Sequence, residues 1–111
     1  MELTQRKTGS VTVLSIKGKI NIETSPDLKR EVLRIADTGV QKIYLDFSNV
    51  DFVNSSGLGS LINLLKELRK KDVAMVIINP SNFIRSLFTL THLDEIFETY
   101  DSIEDALRTA E

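Results

Sequence analysis

Cysteine is absent from the 111 residues and histidine occurs once, as His92. Disulfides and thiolate metal sites are thereby excluded, and zinc has no conventional ligand set. The longest purely apolar run is "VAMVII", residues 73–78, far short of the about 20 residues that span a bilayer as a helix. The first residues, "MELTQRKTGS", lack the apolar core of a signal peptide. These absences predict a cytoplasmic protein without a membrane partner. Neither sign of charge dominates, with 14 Lys and Arg against 16 Asp and Glu. A chain of net charge -2 has no broad basic field for a phosphate backbone, so direct nucleic-acid binding is not expected.

What is present is an ordinary globular composition, 41% hydrophobic and 27% charged. The length suits one domain over residues 1–111. "VTVLSIKG" alternates, with Val11, Val13 and Ser15 on one face and Thr12, Leu14 and Ile16 on the other, and the weaker strand "ELTQRK" precedes it. Thr8, Gly9 and Ser10 between them predict an antiparallel hairpin. "NIETSPDLKREVLRIADTG" reads as a helix capped by Ser25, with Pro26 at its first position and Leu28, Val32, Leu33 and Ile35 inward. "KIYLDF" is a strand, and Leu58, Leu61, Ile62, Leu65 and Leu68 then recur at helical spacing. "DVAMVIIN" lacks alternation, which predicts a central strand covered on both faces. "PSNFIRSLFTLTHL" comes next as a helix capped by Ser81 with Phe83, Leu87 and Leu90 inward, then the short strand "IFETY". "DSIEDALRTAE" spaces Asp101 and Glu104 like a capping box, predicting a last helix. The order implies an α/β fold: a mixed, mostly parallel sheet of about five strands with about four helices.

The stretch "SNVDFVNSSGLGS" lies where a strand hands over to a helix, the place where α/β sheets collect their functional groups. With Asn54 or Ser55 as N-cap, the amides of Ser56, Gly57 and Leu58 are expected to point outward unpaired, at the positive end of the helix dipole. Gly57 and Gly59 would let a phosphate or another backbone come close, although Asn, Ser and Gly also simply start helices. Enzymatic motifs do not fit. "NSSGLG" is not G-x-S-x-G, and "GLGSLI" lacks both the third glycine of a dinucleotide fingerprint and the GK[ST] of a P-loop. Asp46, Asp51, Asp94 and Glu95 are spaced as solvated surface carboxylates, and His92 reads as a loop residue or local cap. What remains is an accessible hydroxyl at a helix N-terminus, well placed to carry a phosphate of about -1.5 to -2 charges without disturbing the fold. No cofactor is called for.

The segments "VTVLSIKGKINIETSPDLKREV", "IYLDFSNVDFVNSSGLGSLINLLKEL" and "PSNFIRSLFTLTHLDEIFETYDSIEDAL" together resemble the anti-sigma factor antagonists of bacteria, which have the STAS fold. In that family a serine between aspartate and Ser-Gly or Thr-Gly is phosphorylated by an anti-sigma factor that is also a serine kinase. Carried over, the acceptor is Ser55, with Ser56 as the alternative. The resemblance implies that the unmodified protein binds the anti-sigma factor and frees a sigma factor for transcription, and that a serine phosphatase restores the bound state. It implies a kinase substrate rather than an enzyme. Placement around the Asn54–Ser55 turn gives an expected partner surface of Asn21, Thr24, Asn54, Ser55, Ser56, Gly57 and Leu58; Ser81, Asn82 and Arg85 either extend it or belong to an ordinary capped surface helix. Asn54 and Asn21 stand where the family usually has aspartates, removing negative charge beside the acceptor. A constitutive STAS subunit of a stress-signalling scaffold or transporter, and a nucleotide-binding domain, are the competing readings.

Overall fold

The computed structural model describes residues 1–109. Strands β1 (Glu2–Thr8) and β2 (Val11–Ile20) form the antiparallel hairpin. After them come α1 (Ser25–Ala36), β3 (Lys42–Val53), α2 (Ser55–Lys70), β4 (Ala74–Ile78), α3 (Asn82–Leu90), a single 3-10 turn at Leu93–Glu95, β5 (Glu98–Tyr100) and α4 (Ile103–Thr109). The sheet order is β1-β2-β3-β4-β5, and every pair after the hairpin is parallel.

Alternation decides the layers. Leu14, Ile16, Ile43, Leu45, Phe47, Met75 and Ile77 point to one side, where they meet Leu28, Val32 and Ile35 of α1, Leu61, Leu64, Leu65 and Leu68 of α2, and Ile84 and Phe88 of α3. Val13, Tyr44, Val76 and Ile78 point to the other side, where the short α4 supplies Ala106. β4 is thus covered on both faces as its unbroken apolar run predicts, but the middle of the sheet is β3.

Several local expectations are corrected. Ser25 is not the cap of α1; Thr24 holds that position, and the buried Ser25 opens the helix, its hydroxyl donating to the Asn21 carbonyl at 2.5 Å. Leu64 belongs to the buried stripe of α2, whereas Ile62 is only partly buried. In α3 the Ser81 cap stands, its hydroxyl accepting from the Ile84 amide at 3.2 Å, and Leu87 packs against the core as expected, but the fully buried residues are Ile84 and Phe88. Phe83 is 53% and Leu90 80% exposed. Ser102 rather than Asp101 caps α4, accepting from the Asp105 amide, while Asp101 pairs with Arg85 at 2.6 Å. The final two residues of the expected last helix lie outside the described residues.

The largest difference concerns β3. Its pairing with β4 ends at Asp46 opposite Ile78, yet its pairing with β2 continues to Val53 opposite Ile20. "SNVDFV" is therefore strand, not loop. It forms a two-stranded ribbon with the end of β2, carried past the rest of the sheet and broken by two register shifts. Bulges of this kind bend a strand and re-aim the residues beyond them.

Candidate functional site

The ribbon delivers two chain reversals to one place: Asn21–Thr24 after β2, and Asn54 after β3. Each is built around an asparagine. Asn21 Oδ1 accepts the amides of Glu23 at 2.9 Å and Thr24 at 3.1 Å, while its own amide donates to Thr24 Oγ1 at 3.0 Å. The Thr24 hydroxyl in turn donates to the Lys19 carbonyl at 2.7 Å. Asn54 is the N-cap of α2, its Oδ1 accepting from Gly57 N–H at 2.8 Å. An aspartate would make the same acceptor contacts, so the loop geometry survives the loss of charge at both positions.

The two reversals are joined through Ile20, whose carbonyl accepts the Asn54 amide at 3.4 Å. The same carbonyl lies against Gly57, where a Cβ would stand 2.2 Å from the oxygen. Gly57 is thus required by the approach of this chain's own backbone, not by a ligand. Gly59 has nothing within 4 Å of a Cβ and opens instead onto a shallow groove of about 530 Å³ between α1 and α2, whose wall includes Ile22, Ser25, Lys29 and Ser56. Lys29 spans that groove, donating to Asn63 Oδ1 at 3.1 Å.

Two of the three amides expected to be free are occupied. Gly57 N–H goes to the Asn54 side chain and Leu58 N–H to the Asn54 carbonyl at 2.9 Å. Both residues are buried, so they support the site from below rather than forming its surface. The backbone donors at the helix start that remain without an acceptor are those of Ser55 and Ser56, and both side chains are exposed. No acidic residue occupies the first turn of α2, so nothing within the helix offsets the positive end of its dipole.

Around the serines lies apolar surface that the sequence did not assign. Phe52 at the ribbon tip and Phe83 at the start of α3 stack with centroids 6.2 Å apart and planes 18° apart, and both remain exposed. Ile22, 71% exposed, lines the groove that also takes in Ser56. Phe83 brings the start of α3 to Phe52, whereas Arg85, expected to extend the partner surface, turns instead to Asp101 beside β5 and α4.

The other candidates lie elsewhere. His92 is an exposed loop residue in left-handed conformation. Asp46 is not a solvated surface carboxylate. On the α4 side of the sheet it accepts from the Ser48 amide at 3.0 Å, the Asn79 side chain at 3.3 Å and the Ser15 hydroxyl at 3.4 Å, with Arg6 at 3.6 Å. That network ties four neighbouring positions across the sheet. Among the described residues no three acidic, histidine or cysteine side chains converge as a metal site, and no helix is long and apolar enough to cross a membrane.

The molecule is a small α/β domain that exposes two serines at the Asn54-capped start of α2 and a stacked pair of phenylalanines. The STAS domain model matches residues 2–106, and the chain belongs to that family. The anti-sigma-B factor antagonist of Staphylococcus aureus is 28% identical over 91 residues, covering 82% of this chain and 84% of the relative. A crystal structure of a Thermotoga maritima protein, named provisionally as an anti-sigma factor antagonist, superposes with a TM-score of 0.85 at 27% identity, covering 96% of this chain and 92% of the other. The Bacillus protein SpoIIAA, in its phosphorylated form, shares the fold with a TM-score of 0.68 at 19% identity, over 97% of this chain and 99% of the other.

Proposed function

We propose that this protein is an anti-sigma factor antagonist switched by phosphorylation of Ser55. Unmodified, it docks an anti-sigma factor that carries serine kinase activity, so that a sigma factor is released; the kinase modifies Ser55 and ends the docking; a serine phosphatase restores it. The observation that carries this reading is the position of Ser55. Its exposed side chain opens α2 directly after the Asn54 cap, beside two amides with no acceptor. A phosphate there adds about -1.5 to -2 charges that the helix start tolerates while the surface is open to water. Burial in an interface without a paired cation costs several kcal/mol. A shift of about 5.5 kcal/mol takes a two-state equilibrium from 1:99 to 99:1, so docking can be reversed while the fold is kept. SpoIIAA, known in a phosphorylated form, is a fold precedent for a modified member.

The partner surface in this reading comprises Asn21, Thr24, Ser55 and Ser56, with Phe52 and Phe83 as apolar contacts and Ser81 and Asn82 at the rim. The test is incubation with the cognate kinase and ATP, followed by mapping of phosphate by mass spectrometry. Phosphate on Ser55 that disappears in Ser55→Ala is expected. Phosphate on another residue, or its persistence in Ser55→Ala, rejects the assignment.

A further inference from the structure

β1 is a sheet edge with nothing to block it among the described residues. Glu2–Thr8 pair one-to-one with Lys17–Val11 on one side, without a bulge, and have no strand on the other. Every residue of β1 except Leu3 is exposed. The other free edges are poor templates: β5 has three residues, and the overhang of β3 is broken by two register shifts, a common way to spoil an edge for pairing. The hairpin loop is Gly9–Ser10, with Gly9 at φ +60°. In two-residue hairpins the closing pair, here Thr8 and Val11, exchanges both backbone hydrogen bonds. Such pairs alternate, so Glu2, Thr4, Arg6 and Thr8 address β2, and the N–H and C=O groups of Leu3, Gln5 and Lys7 face outward.

We propose that β1 pairs antiparallel with β1 of a second copy of this chain, about a two-fold axis at Thr4. Outward residues must face outward residues, which restricts the register. Centred on Thr4, the pairing sets Leu3 opposite the partner's Gln5 and Glu2 opposite the partner's Arg6. Centred on Gln5, it would set Glu2 opposite the partner's Thr8 and lose both ion pairs. Charges on an edge ordinarily repel a second strand. Here an acid near one end and a base near the other make the strand complementary to itself when reversed, and Thr4 against the partner's Thr4 is a favourable cross-strand pair. Arg6 keeps 62% of its side chain exposed beside Asp46, so it is available to the partner. The axis runs perpendicular to the sheet, so two five-stranded sheets join into one with α1 of each copy on the same face. The two Ser55 surfaces then point to opposite ends of the pair, both uncovered, and one dimer presents two docking sites. A strand-edge contact is small, which places the association in the weak class.

Sedimentation velocity of the full chain from micromolar to millimolar concentration tests this. The weight-average mass is expected to rise toward twice the monomer mass as concentration increases, and less steeply at high salt. Glu2→Lys and, separately, Arg6→Glu each set like charges opposite one another and should weaken association by about tenfold or more. The combined exchange Glu2→Arg with Arg6→Glu should restore it, and circular dichroism checks that each variant is folded. A monomer at every concentration overturns the proposal. So does a dimer indifferent to both single changes, or one that the double exchange fails to restore.

Discussion

Gly57 and the Ile20 carbonyl occupy the same space that a methyl group would need: a Cβ on Gly57 falls 2.2 Å from that oxygen and 3.1 Å from Val53 Cγ1. The start of α2 is therefore seated directly on the end of β2, and the distance between the two chain reversals is set by a missing side chain.

Gly57→Ala should consequently destabilise the fold, although alanine is the better helix former by about 1 kcal/mol. Forced displacement of packed backbone costs about 1–3 kcal/mol, so after the propensity gain a net loss of up to about 2 kcal/mol is expected in urea unfolding. Gly59→Ala is the control. Its Cβ meets nothing within 4 Å, so only the helix-propensity gain applies and stability should rise.

Asn54→Ala removes the acceptor of the Gly57 amide and should cost about 1 kcal/mol, the usual value of an N-cap. Asn54→Asp keeps the acceptor and adds a negative charge at the positive end of the dipole. It should stabilise by about 0.3–1 kcal/mol at low ionic strength, the gain shrinking with added salt. Thermal denaturation of both variants at two salt concentrations checks the pair, and a stabilising Asn54→Ala would contradict the assigned cap.

The sequence is legible where its signals are local. The hairpin, the alternation of β2 and β3 and the apolar seam of α2 are period-two or helical patterns that tertiary structure does not overrule. The end of β3 escapes such a reading because "SNVDFV" breaks its alternation at the register shifts: Ser48 and Asn49 are both exposed, as are Asp51 and Phe52. A bulge erases the periodicity that identifies a strand. At the candidate site, Asn54 and Ser55 are legible from capping chemistry. The seating of Gly57 is not, because it depends on Ile20, distant in sequence.

α3 is turned by about one residue, roughly 100°, from the orientation its sequence suggests, with Leu87 still against the core, and the turn has a measurable counterpart. Ser81 alone does not set it; docking of Phe88 against Phe97, with centroids 5.3 Å apart, turns Ile84 inward and Phe83 and Leu90 outward. Ile84→Ala should cost about 2–5 kcal/mol as a cavity in the core. Leu90→Ser should change stability by less than about 0.5 kcal/mol. Comparable losses for the two substitutions would mean that the helix packs in the other rotation.

Two groups give stability a pH dependence of defined sign. Hydrogen bonding to Arg34 is the main influence holding the Glu31 carboxyl below its ordinary value, with burial opposing it. A lowered carboxyl contributes stability above the unfolded-state value and loses it as pH falls through the folded one. The stability difference between the wild type and Arg34→Gln should therefore narrow in acid. Burial, aided by the charge of Glu98, raises the Tyr44 hydroxyl above its usual 10.0. Its contribution is complete below that value and is lost as pH climbs through the folded one, so Tyr44→Phe should flatten the alkaline limb of urea midpoints measured against pH.

Thr12 supplies the sharpest test of the core. It is fully buried on β2, and among the described residues its Oγ1 is the buried side-chain oxygen with no hydrogen-bond partner. An unsatisfied buried hydroxyl costs about 1–3 kcal/mol relative to one that is bonded. Valine has nearly the same shape, suits a strand and carries no polar atom. Thr12→Val should therefore stabilise the protein by about 1 kcal/mol or more, read as a higher urea midpoint with an unchanged slope. If the hydroxyl were bonded to an ordered water, the substitution would leave that water short of a partner, and a fall in the midpoint would reveal it.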